Sequence, residues 1–206
     1  MLKKISLLMI LSFYLSATAQ QNEEFRNVKQ RFDYHKMLLL DAFKKDFDTV
    51  KNDAKKAQMR AEFADFIIKM DSVQNVMYLG SLVKVKNAED LTRLASADVA
   101  THIPKTIVNE KIPEYPGGVS ALRREIGDLF YAGNISGSQK QLRSSVSFIV
   151  EKDGSVSTVE AAGDSVPFNK QAMIAVYLLS GKFSPAYANG QPVRYRFTLP
   201  ITMKVE

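Results

Sequence analysis

From Val193 to the end of the chain every second residue is apolar: Val193, Tyr195, Phe197, Leu199, Ile201, Met203 and Val205. Arg194, Arg196, Thr198, Pro200, Thr202 and Lys204 alternate with them. Side chains of a β-strand point to its two faces in turn, so this run predicts one long strand with a core face and a wet face. Pro200 has no amide hydrogen for a ladder, so at least one side of that strand is expected to be unpaired there.

Such a strand needs a sheet, and the residues before it supply one. Val146, Phe148 and Val150 alternate with Ser145, Ser147 and Glu151, and Asp153-Gly154 then leads to Val156–Val159. Asp and Gly tolerate positive φ, so the pair predicts a hairpin closed by a type I′ turn. One helix is expected on each side of it. The first carries Val119, Leu122, Ile126, Leu129 and Phe130, followed by a polar loop from Gly133 to Ser138. The second is opened by Pro167 and carries Phe168, Ala172, Met173, Val176 and Leu179 up to Ser180-Gly181.

The N-terminal half has another rhythm. No proline occurs between Asn22 and Leu79, and apolar residues recur every three or four positions: Phe25, Val28, Phe32, Leu39, Phe43 and Phe47, then Phe63, Phe66, Ile67, Met70, Val73 and Met77. Two amphipathic helices follow, with a break near Lys51-Asn52-Asp53 and a glycine end at Gly80. Ser81–Lys86 reads as a short strand and Asn87–Ala100 as another short helix. Pro104, Pro113, Pro116 and Gly117-Gly118 then mark a linker. The fold class is α+β: residues 20–100 a helical domain, 101–116 a linker, and 117–206 a small domain with a three-stranded antiparallel sheet and two helices.

The first nineteen residues stand apart. Lys3 and Lys4 precede an apolar run from Ile5 to Leu15, and Ala17-Thr18-Ala19 offers small residues for cleavage. That run is about eleven residues, short of the roughly 20 that span a bilayer, so the segment reads as a signal peptide cut after Ala19. Its removal takes two lysines and no acid, leaving 26 basic against 22 acidic residues and a net charge of +4. The charges of residues 23–71 alternate in sign as on solvated helix faces, which gives no reason to expect a nucleic-acid partner. Cysteine is absent, which excludes disulfides, thiolate metal sites, a cysteine nucleophile and a lipid-modified cysteine at the cleavage point.

Three segments together resemble the carboxyl-terminal domain of TonB-type energy transducers. They are Pro113-Glu114-Tyr115-Pro116-Gly117-Gly118, the hairpin Val146 to Val156 with its Glu151-Lys152-Asp153-Gly154 tip, and Lys182-Phe183-Ser184-Pro185-Ala186 with Asn189-Gly190-Gln191-Pro192-Val193. The resemblance covers residues 113–206, with Phe183 where relatives commonly carry tryptophan. It implies a periplasmic, non-catalytic module that binds an extended peptide of an envelope protein, such as a TonB-dependent outer-membrane receptor, by adding it as a strand. The receiving edge it implies is Val193, Arg194, Tyr195, Arg196, Phe197, Thr198 and Leu199, with Arg194, Arg196 and Thr198 beside the peptide. Transducers of this family also carry a membrane anchor and a long span, which a cleaved signal and a helical half replace here.

No enzyme is expected. The two histidines, His35 and His102, have no second ligand at helical spacing, and there is no phosphate loop, nucleophile elbow or calcium loop. No catalytic residue, metal, cofactor or small-molecule substrate is assigned. The alternatives are an assembly protein that forms a homodimer through its helical half, motivated by the stripe from Phe25 to Phe66, and an anchored transducer if Met1–Ala19 stays in place.

Overall fold

A computed structural model describes residues 2–95, 111–133, 135 and 141–204. The linker residues 101–110, His102, the end of the short helix predicted to run through Ala100, most of the 134–140 loop and Val205 lie outside that range. The architecture is α+β. Helices α1 (Leu2–Thr49) and α2 (Asp53–Ala95) form a long antiparallel hairpin. Helix α3 (Gly118–Asp128), strands β1 (Gln141–Val150) and β2 (Val156–Gly163), helix α4 (Val166–Tyr177), the short strands β3 (Ala186–Ala188) and β4 (Gln191–Val193), and strand β5 (Tyr195–Lys204) complete the chain. Three strands form an antiparallel sheet in the order β2-β1-β5, and β3 pairs with β4 separately.

The expected break between the long helices falls at residues 50–52. There the Asn52 side chain accepts the Lys55 N–H at 2.9 Å and starts α2. Gly80 does not end that helix, and residues 81–86 are helical. Tyr78, Leu82 and Val85 are buried at helical spacing in the main core, and that packing outweighs both the glycine and the local β-like alternation. Much of the phenylalanine stripe is spent inside the hairpin, where Phe43 stacks on Phe63 with centroids 4.2 Å apart.

The hairpin packs on the small domain. Helix α4 lies between the sheet and the long helices, and for that reason it is buried almost all round, with Phe168, Gln171, Ala172, Ile174, Ala175, Val176 and Tyr177 inside. The Phe25 ring stacks on Tyr177 at 4.9 Å. Gln171 Nε2 donates to Asn75 Oδ1 at 2.8 Å, and the Tyr177 hydroxyl donates to Glu89 at 2.9 Å. Phe25, Val28, Tyr78, Leu82 and Val85 share one core with β1, β2 and α4.

One turn differs from expectation, and another interrupts the last predicted strand. The β1–β2 connection is a three-residue loop: Gly154 N–H donates to the Glu151 carbonyl at 2.9 Å and Glu151 N–H to Ser155 at 2.8 Å. Only Gly154 in it has positive φ, at 79°. That is a turn followed by a left-handed glycine, not type I′. The Asp153 side chain, accepting from Ser155 N–H and Oγ at 3.1 and 2.6 Å, holds a conformation that needs no positive φ at Asp153. A two-residue turn with both central φ angles positive occurs at Asn189 (51°) and Gly190 (70°), joining β3 to β4. It ties Val193 to Ala186, so the predicted single strand is interrupted at Arg194 and β5 begins at Tyr195.

Candidate functional site

Strand β5 occupies one edge of the sheet and pairs with β1 over ten consecutive positions, Gln141–Lys204 through Val150–Tyr195. Its other side meets no strand among the described residues. Pro200 fits a ladder only with its nitrogen turned away from β1. Residues two apart in a strand present their backbone groups to the same side, so Arg196, Thr198, Thr202 and Lys204 also turn N–H and C=O groups outward.

The opposite edge is irregular and partly capped. Strand β2 is kinked by a bulge opposite Phe148, where Thr158 takes φ 50°, and Val159 N–H donates to the Tyr177 hydroxyl at 3.3 Å. A bulge and a capped amide are devices that keep an edge from pairing. The two edges of one sheet thus differ: β2 is bulged and capped at Val159, whereas β5 runs without a bulge along its free side.

Beside the open edge runs an apolar groove of about 480 Å³ between α3 and β5. Ile126, Phe130 and Phe168 form one wall, and Leu199, Ile201 and Met203 the other. Of the apolar face of β5 only Leu199 is fully buried; Tyr195, Phe197, Ile201 and Met203 are half-buried because no further strand covers them. The expected alternation is present, with an inner face that is partly open.

The seven residues predicted for the receiving edge are distributed over two elements. Val193 belongs to β4, Arg194 lies between strands, and Tyr195 to Leu199 form the first half of β5. Arg194 pairs with Glu151 at 2.8 Å, and Arg196 with Glu160 of β2 at 3.6 Å. Reaching β2 means crossing over β1, so Arg196 points away from the free edge. Those side chains roof Ile149, which is 4 % exposed although it stands on the wet face. The groove lies along the second half of β5, and its C-terminal wall residues Ile201 and Met203 stand outside the predicted set. The only signal for them in the sequence is that the alternation of apolar residues continues through Ile201 and Met203.

The segments that carry the family resemblance converge behind β5. Phe183 touches Tyr115, Phe148 and Phe197 at centroid distances of 5.0, 5.6 and 5.6 Å. Tyr115 donates to Glu125 at 2.6 Å, while Ser180 N–H and Gly181 N–H reach Glu125 and the Tyr115 hydroxyl at 2.7 and 3.0 Å. Burial and the neighbouring carboxylate push the Tyr115 hydroxyl pKa up. Burial alone would raise the Glu125 carboxyl, but its hydrogen bonds from Tyr115 and Ser180 offset that and hold it below the usual range. Residues 111–114 are tied down as well, with Tyr187 N–H donating to Lys111 at 3.0 Å and Ser184 N–H to Glu114 at 2.8 Å.

His35 is exposed on α1, and no cluster of His, Cys, Asp or Glu among the described residues has the form of a metal site. No helix among the described residues is long and apolar enough to cross a membrane. The class defined by this architecture is an α+β domain, its β5 edge free of a partner strand among the described residues, mounted on a helical hairpin. Comparison with protein-family models, curated proteins and solved structures gives no match to the chain.

Proposed function

We propose that the protein is a non-catalytic interaction module of the TonB carboxyl-terminal type that binds an extended peptide of an envelope protein by adding it to the free edge of β5. The observation that carries this reading is the asymmetry of the sheet: β2 is bulged and capped at Val159 by Tyr177, whereas the outer side of β5 meets no strand among the described residues and is flanked by an apolar groove. An added strand receives hydrogen bonds from the outward backbone groups. Its alternate side chains fall on the groove side, so the preferred peptide has apolar residues at every second position. Pro200 leaves one donor missing and fixes where the peptide must have a carbonyl without a partner.

Titration with alternating apolar/polar peptides, followed by backbone and methyl chemical shifts, checks this. Shifts are expected at residues 196–204 and at Ile126 and Met203, with β2 unchanged. Thr198→Pro removes an outward N–H and is expected to weaken binding about tenfold, equivalent to about 1.4 kcal/mol. Absence of shifts along β5 would sink the proposal. The basic and apolar start of the chain supports an envelope location, and a mass for the recovered protein beginning at Gln20 is the expected sign of export; a mass that retains Met1–Ala19 speaks for the anchored alternative.

A further inference from the structure

We infer that α2 carries a self-complementary face on which a second copy of this chain docks antiparallel, with the two-fold axis beside Gly80. Nothing in this inference involves β5. The stripe from Phe25 to Phe66 that motivates a dimer from sequence is largely consumed inside the chain: Phe25 is buried, and Phe32, Phe43 and Phe63 are half-buried between the helices. A different face of α2 is left open.

At 100° per residue, Phe66, Val73, Val76, Met77, Val83, Leu91 and Leu94 fall with Gly80 in a sector of roughly 120°. Each of those seven apolar side chains is more than two-fifths exposed, and Leu94 reaches 72 %. The sector lies on the side of α2 away from Tyr78, Leu82 and Val85, which face the small domain. The row spans about 42 Å at 1.5 Å per residue, a mainly apolar strip, interrupted by three polar residues, of a kind that single-chain surfaces rarely leave bare.

Gly80 identifies the occupant as another helix crossing close by. It sits inside a regular helix, where glycine is the poorest residue after proline, and a Cβ placed on it meets nothing within 4 Å. Nothing among the described residues requires the glycine, whereas a second backbone passing over it does.

The pattern about Gly80 chooses a second copy and its direction. Phe66 and Leu94 are each fourteen residues from Gly80, and Met77 and Val83 each three. An antiparallel two-fold therefore sets Phe66 against Leu94 and Met77 against Val83. The polar members of the sector, Lys69, Lys84 and Asn87, meet Leu91, Val76 and Val73 respectively, and no like charges are apposed. Lys69 also comes beside Asp90 of the other copy. A parallel arrangement would stack Lys69 on Lys69 and Lys84 on Lys84, which disfavours it.

Sedimentation of the full chain at ~50 µM, a range that detects modest association, is expected to show a dimer. Gly80→Arg is expected to raise the concentration for half-dimerisation at least tenfold, or about 1.4 kcal/mol, with helix content retained. The chain has no cysteine, so introduced thiols are unique. A mixture of Phe66→Cys and Leu94→Cys chains treated with a short bismaleimide is expected to form covalent dimers well above either variant alone, and this decides the matter even where Gly80→Arg fails to fold. A monomer at that concentration, a dimer unaffected by Gly80→Arg, or self-linking of Phe66→Cys alone overturns the inference. A monomer that binds phosphatidylglycerol vesicles through this face overturns it too, and assigns the face to a membrane.

Discussion

Glu125 shows how one side chain organises the segments that looked like separate motifs in the sequence. Its carboxylate accepts from Tyr115 and from the Ser180 backbone, and so ties the Pro113–Gly118 stretch to the turn after α4. Glu125→Gln keeps the shape but weakens charge-assisted bonds, and the expected loss is about 1–2 kcal/mol in urea unfolding at pH 7. The folded carboxyl lies below its ordinary 4.5, so its contribution is fully present above that value and fades as the pH falls through it and below. The variant should show a shallower loss of stability between neutral and acid pH. An unchanged acid slope would show that Glu125 does not carry the effect. This node was invisible in the sequence because its members lie up to 66 residues apart and no periodicity links them.

At the scale of elements, turn chemistry separated what the sequence revealed from what it concealed. The strands of the β1–β2 hairpin were legible from their alternation, but the type of turn was not, because Asp-Gly suits both a two-residue turn and the three-residue loop that forms. The tip of that loop docks on the segment after α4: Phe183 N–H donates to the Gly154 carbonyl at 3.0 Å, and a Cβ on Gly154 would stand 1.9 Å from the Phe183 carbonyl oxygen. With φ at 79° the position is closed to other residues. Gly154→Ala is expected to cost more than about 2 kcal/mol, combining left-handed strain with the clash; thermal unfolding measures it, and a change under half that size would mean the tip moves freely. Helix α2 runs on past Gly80 for the opposite reason. Leu82 and Val85 gain a surface to pack on only in the fold, and that surface comes from α4, some ninety residues later.

For the molecule as a whole, the two halves are joined through Tyr177. Its ring stacks on Phe25 of α1, and its hydroxyl links β2 to Glu89 of α2; burial pushes that hydroxyl's pKa well above the ordinary tyrosine value. Phe25→Ala removes a fully buried ring and is expected to cost about 3–5 kcal/mol. Proteolysis of this variant should then cut α1 and α2 before the sheet, whereas equally fast cutting of both would show that they unfold as one unit. The open edge was partly legible, since Pro200 announced an unpaired side, but the groove beside it was not. Its far wall comes from α3 and α4, and single-strand alternation says nothing about how completely a face is covered.

The β1–β5 ladder has a mechanical consequence. Antiparallel rungs lie perpendicular to their strands, so a chain paired along β5 and drawn in the strand direction loads all ten rungs together in shear instead of unzipping them singly. Force applied at that edge passes into the centre of the sheet before any one rung must give way.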